Sequence, residues 1–256
     1  MRKGRLFLLI IAFLVLQGCA STRYIEKVSD TSPDLQMSAR NDHLDLSLNN
    51  VLTPNGPGSW IKDAKWDEYV VIIRNQAGQP VTIEKISLVD PRGVYLDAGT
   101  DFIALEKTSD TLAGAYKDSG IKFTAQAVPT AVEGAGTVAL ATGAVGSIFL
   151  APVAILGAPA LYFGNRYLSD KDRESVAGEF NRRRLANGTT ISDKSTITGS
   201  LFFPMVPNPQ ALIVKYQVAN TVQTVELKTD KLQGIHVTAA AAGRQSEPAK
   251  ESNASR

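Results

Sequence analysis

Few side chains in this sequence are of the kinds that do chemistry, and their spacing argues against a catalytic constellation. The two histidines, His43 and His236, lie in opposite halves of the chain. Neither has a second ligand at metal-holding spacing, and both read as residues of a sheet surface. Asp67-Glu68 and the pair Asp42 and Asp45 are acidic, but positions at turns and strand rims account for them better than acid–base catalysis does. No Gly-x-Ser-x-Gly nucleophile elbow and no phosphate-binding loop occurs. Gly134-Ala135-Gly136-Thr137-Val138-Ala139 has the spacing of a dinucleotide-binding turn, which needs a preceding strand and an acid about 20 residues on. Here Pro129 and Glu133 precede it and the region near 155 is apolar, so the match is rejected.

Cys19 is different. It is the only cysteine, so no intrachain disulfide can form, and it follows a distinctive segment. Arg2, Lys3 and Arg5 precede an apolar run from Leu6 to Leu16, and the small residue Gly18 stands just before Cys19. A basic start, a short apolar stretch and a small-residue cleavage site describe a secretory signal peptide over residues 1–18. As a helix the apolar run spans only about 16 Å, roughly half a bilayer core.

The run Leu16-Gln17-Gly18-Cys19 resembles the lipobox of bacterial lipoproteins. The resemblance implies a diacylglycerol on the Cys19 thiol, cleavage immediately before Cys19 and an N-acyl chain on the new amine; no other cofactor is expected. Two or three acyl chains hold a protein stably on a membrane. Ala20 and Ser21 lack the Asp that resembles an inner-membrane retention signal, so the outer membrane is the expected location, with the protein on its periplasmic face.

Composition narrows the class further. The 256 residues are 44% hydrophobic and 20% charged, which suits a folded chain with a core of its own. Removing Arg2, Lys3 and Arg5 with the signal takes the formal charge from +2 to −1. A chain so close to neutral lacks the basic surface that nucleic-acid binding rests on, and no small-molecule substrate is evident.

The elements follow from hydropathy patterning. Residues 19–40 read as the lipidated Cys and a polar tether. Leu44, Leu46 and Leu48 alternate on one strand face, and Tyr69 to Ile73 form a continuous apolar strand expected to be buried on both faces. Val81, Ile83, Ile86 and Leu88 mark another strand, and Asp90-Pro91-Arg92-Gly93 a turn into Val94-Tyr95-Leu96. Later strands are expected at 196–203, 211–219, 222–228 and 232–237, with Asn220-Thr221 as a hairpin turn. Short strands at this spacing predict a mainly β, α+β fold: an antiparallel immunoglobulin-like sandwich over 41–238, interrupted by a helical insertion at about 101–190. Helices are expected near 105–116 and 169–185. In the strand at 196–203, Phe202 or Phe203 must point outward, and Trp60 and Trp66 flank the start of the buried strand. Residues 239–256 read as a disordered tail.

The insertion contains an uncharged run of 31 residues, Gly134 to Gly164, between Glu133 and Arg166. Pro152 and Pro159 interrupt it as a helix. Ala135, Ala139, Gly143, Ser147 and Ala151 recur at every fourth position, a stripe that lets another helix approach closely and loosely resembles the glycine-zipper segments of bacterial envelope proteins. Three readings are open: a hairpin buried within the protein, a membrane-inserted segment, or a self-association surface. Arg182, Arg183 and Arg184 close the following helix, where they complement its dipole and are candidate contacts to anionic headgroups. The expected function is therefore non-catalytic binding or scaffolding at the outer membrane, by a chain held through its lipid anchor, with an envelope protein or a second copy as partner. The alternatives are a subunit of an export or surface-assembly complex, or an envelope enzyme built from scattered carboxylates.

Overall fold

The computed structural model describes residues 23–25, 34–125 and 170–237. Cys19 and its lipobox residues Leu16, Gln17 and Gly18, the stripe from Ala135 to Ala151 and the tail 239–256 all lie outside these. Among the described residues nine strands form two antiparallel sheets, with two helices, in a β-rich α+β fold. In chain order these are β1 (Met37–Arg40), β2 (Leu44–Leu52), β3 (Trp66–Asn75), β4 (Val81–Val89), β5 (Tyr95–Asp97), α1 (Phe102–Asp118) and α2 (Asp170–Arg183). There follow β6 (Thr190–Ile191), β7 (Thr196–Pro204), β8 (Ala211–Val218) and β9 (Thr221–Lys228). One sheet has the order β1-β2-β3-β7; the other runs β5-β4-β8-β9, with β6 paired to the start of β4.

The two sheets bury their inner faces against each other. Leu44, Leu46 and Leu48, with Tyr69, Val71, Ile73, Leu201 and Phe203, meet Val81, Ile83, Ile86, Leu88, Leu212, Val214, Tyr216 and Val225 in one core. The odd spacing from Ile83 to Ile86 has a local cause. The register between β4 and β8 shifts between Ile83 and Lys85, and the extra residue turns the side-chain phase so that both isoleucines point inward. Asp90 builds the β4–β5 turn, accepting from the N–H groups of Arg92 (2.8 Å) and Val94 (2.9 Å), and Gly93 supplies its left-handed position at φ +80°. The Arg92 guanidinium lies 4.6 Å over the Tyr116 ring and fastens this hairpin to the last turn of α1.

The structure corrects several expectations. Met37–Arg40 is a strand paired to β2, not tether, and Arg23–Ile25 pairs with the body at Ile61. Only Met37 and Ala39 are apolar in β1, too little alternation to register as a strand. Residues 232–237 form no strand; a 3-10 turn at Asp230–Leu232 leads into further turns, and Leu232 and Ile235 enter the core three residues apart, a helical rather than a strand spacing. The β8–β9 turn sits one residue earlier, on Ala219 and Asn220, both at positive φ as a two-residue hairpin of this hand requires. β3 is buried on both faces only at its start, since Val70 and Ile72 are half-covered.

Leu46→Ala removes a fully buried side chain from the middle of this core and should destabilise the protein by about 2–5 kcal/mol, read as a lower urea midpoint at unchanged slope. The exposed Val222→Ala should shift the midpoint little.

Candidate functional site

The densest polar chemistry lies where β3 begins. Trp66 and Glu68 point to the outer face of the sheet, Asp67 and Tyr69 to the inner, and all four are buried. Asp67 and Glu68 are thus neither at a turn nor on a rim. Each carboxylate has lost its water and needs donors brought from elsewhere.

On the outer face, Glu68 accepts from Trp60 Nε1 (2.6 Å), Ser200 Oγ on β7 and Arg183 Nη1 (3.3 Å). Arg183 also donates through Nε to Glu179 (2.6 Å) and lies 5.4 Å over the Trp60 ring. The hydrogen bonds from Arg182 first, and Arg183 as well, hold the Glu179 carboxyl down to about 2. Beside this polar hub, Phe180 of α2 stacks on Phe202 at 4.1 Å, and Trp66 meets both rings edge-on at 5.8 and 5.1 Å. Phe202 is the outward residue of the Phe202-Phe203 pair, and α2 covers it. Gly199 lets the chain just after α2 pair against β7 at Ser200, because a Cβ on Gly199 would stand 2.9 Å from the Leu185 Cβ.

On the inner face, Asp67 pairs with His236, and both are wholly buried. His236 Nε2 lies 2.9 and 2.8 Å from the two Asp67 oxygens, and Nδ1 lies 3.2 Å from the Thr124 carbonyl. Both neighbours are acceptors, an arrangement that favours the protonated ring, in which both nitrogens donate. Burial pulls its pKa down, but the Asp67 charge and hydrogen bond, with the Thr124 carbonyl, leave it raised above the ordinary histidine value. The expectation of a surface His236 is thereby corrected. His43 is part-buried at the opposite end of β3's sheet, against Tyr216, so the two histidines do not meet.

A third cluster fixes Arg23 and Tyr24. The N–H groups of Arg23 and Tyr24 donate to the Asp172 carboxylate in the first turn of α2, each at 3.1 Å. The Arg23 guanidinium donates to the carbonyls of Lys62 (3.0 Å) and Asp63 (2.8 Å) and pairs with Glu106 of α1.

Comparison with known proteins returns no family model, no curated protein and no solved structure that matches the chain. The function has to be argued from these clusters. His236 is wholly buried and reaches both Asp67 and the Thr124 carbonyl, so its geometry is that of a clamp joining β3, Thr124 and the turn at 234–237. Among the described residues no group of three His, Cys, Asp or Glu is placed to hold a metal, and no helix is long and apolar enough to cross a membrane. Of the expected headgroup contacts, Arg182 and Arg183 are paired to Glu179, Arg182 with most of its side chain still exposed, while Arg184 bridges to Ser200 through its backbone. Trp60 and Trp66 are 2% exposed and pack together in the interior at 5.5 Å. The partners of Asp67 and Glu68 were not readable in the sequence. The available signal was two acids opening an otherwise apolar strand, which requires buried donors somewhere.

The His236–Asp67 pair gives stability a definite pH dependence. Its contribution is fully present below the unfolded histidine pKa of about 6.5 and is lost as the pH rises through the raised folded value. Urea midpoints of the native protein should therefore fall across that range, and His236→Gln should flatten the fall. Asp67→Ala leaves the buried imidazolium without its counter-charge and should cost about 3–5 kcal/mol below pH ~6.5, again by urea unfolding.

Proposed function

We propose that this chain is a lipid-anchored protein of the bacterial outer membrane, on its periplasmic face, acting by binding or scaffolding and without catalytic chemistry of its own. The observation that carries the reading is Cys19, the sole cysteine, closing Leu16-Gln17-Gly18-Cys19 after a basic start and an apolar run too short to span a bilayer. The diacylglycerol and N-acyl chain on Cys19 are the covalent groups this reading requires, and an envelope protein or a second copy is the partner. The polar groups of the body favour a structural role, since Asp67 with His236, and Glu68 with Trp60, Ser200 and Arg183, spend their hydrogen bonds on one another.

The same reading includes an immunoglobulin-like topology for the sandwich. In support, β3 lies beside β7 in one sheet while β4, β8 and β9 are neighbours in the other, the B–E and C–F–G adjacencies of that fold in the same chain order. The helical insertion then falls between β5 and β7, a connection at the edge of the strand framework.

Flotation of Cys19→Ser, exported by an ordinary cleavable signal, tests the anchor. The protein should move from the membrane fraction to the soluble periplasm, while the native chain incorporates radiolabelled palmitate. A Cys19→Ser protein that still floats and resists carbonate would instead make the insertion a membrane element, in favour of the export-complex reading that the uncharged Gly134–Gly164 run suggests.

A further inference from the structure

We propose that the body faces the bilayer with one particular end, the one formed by the start of β3, the loop at 61–63 and the first turn of α2. This inference rests on the acylation of Cys19 proposed above. What carries it is how soon after Cys19 the chain is locked to the body. Tyr24 forms an antiparallel bridge with Ile61, Ile25 donates to the Trp60 carbonyl at 2.8 Å, and Lys62 donates to the Arg23 carbonyl at 2.8 Å. With the two N–H bonds to Asp172 and the guanidinium bonds to the 62–63 carbonyls, Arg23 is held on every side and only 8% exposed.

Cys19 precedes Arg23 by four residues, which reach at most about 14 Å when fully extended. β3 alone, at ten residues, is about 33 Å long. A leash less than half the length of the body cannot let it turn over. The anchored end stays near the headgroups, and the turns at 75–80, 192–195 and 219–220 project away from them.

Thr124 and the first turn of α2 lie at the same end. Asp172, which receives Arg23 and Tyr24, is two residues into α2, and the uncharged run closes at Gly164, only six residues before α2 begins. Thr124 is tied to His236, and through it to Asp67, the second residue of β3. Arg23, Thr124 and the first turn of α2 therefore lie at one end of the body. The exposed side chains there, Lys62, Lys171 and Arg173 beside Asp63 and Glu174, are of both signs, so the short leash rather than charge sets the orientation.

The single substitutions Lys62→Cys and Lys171→Cys on the proposed bilayer end, and Lys194→Cys and Asn220→Cys on the far end, test this in the full-length acylated protein. The probe is a bulky polyethylene-glycol maleimide, applied to vesicles of phosphatidylethanolamine and phosphatidylglycerol, since the acylated Cys19 thiol is blocked. Modification at the two near positions should be about tenfold slower than at the far ones, and the rates should converge in detergent. A flexible Gly/Ser insert of about ten residues after Ser21 adds roughly 16–19 Å of reach and should erase most of the difference. Equal rates at both ends in floated, acylated protein overturn the orientation alone, as does protection that survives the insert. An N-terminal peptide lacking the acyl mass, in protein that fails to float, overturns the anchoring and the orientation with it.

Discussion

Two adjacent carboxylates at the start of a central strand cannot both be satisfied from within the sheet. Alternation sends Asp67 to one face and Glu68 to the other, and burial strips both of water. Asp67 therefore draws in His236, 169 residues on, and through it the backbone at Thr124. Glu68 draws in the indole of Trp60, the hydroxyl of Ser200 and a guanidinium from the last turn of α2. Four stretches remote in sequence, at Thr124, Arg183, Ser200 and His236, are thus pinned with Trp60 to one end of β3. The cost of desolvating the two acids is offset only when all of them are in place, which makes the end of the sandwich a cooperative unit rather than a set of loops.

The apolar side of this architecture was legible. Alternation at Leu44, Leu46 and Leu48 and the phase change between Ile83 and Ile86 report which side chains face the core, because a strand's two faces meet different environments. The Phe202-Phe203 pair likewise required one ring to point outward. What covers that ring was not legible, because Phe180 of α2 carries no local sign of being its neighbour. The polar contacts were the least readable. His236 and Asp67 are 169 residues apart, and a hydrogen bond leaves no periodicity in sequence. The docking of Arg23 was hidden for the same reason: a single bridge at Tyr24 is too short for any pattern, and its strength comes from a carboxylate 149 residues on.

Helix α2 shows how a polar segment is held. Its mean character is hydrophilic, and it contributes only Val176 and Phe180 to the buried apolar set. Its position is instead fixed at both ends, by Asp172 to the Arg23 backbone and by Arg183 to Glu68. A helix so held depends on geometry at two points more than on buried area, and Phe180 supplies the apolar contact between them.

The insertion between β5 and β7 also sets how the sandwich must form. The two central pairings join residues far apart in the chain, from 122 positions for Arg74 with Thr196 and Val89 with Ala211 to 138 for Trp66 with Pro204. At equilibrium so long a loop costs little, since each doubling of length adds only about 0.6 kcal/mol of closure entropy. Kinetically it matters more, because non-local pairing is slow. The first strands, with Tyr69, Val71 and Ile73 ready to pair, emerge long before β7 and β8 exist to cover them. The front half of the sheet therefore stays an unprotected template until its second half arrives.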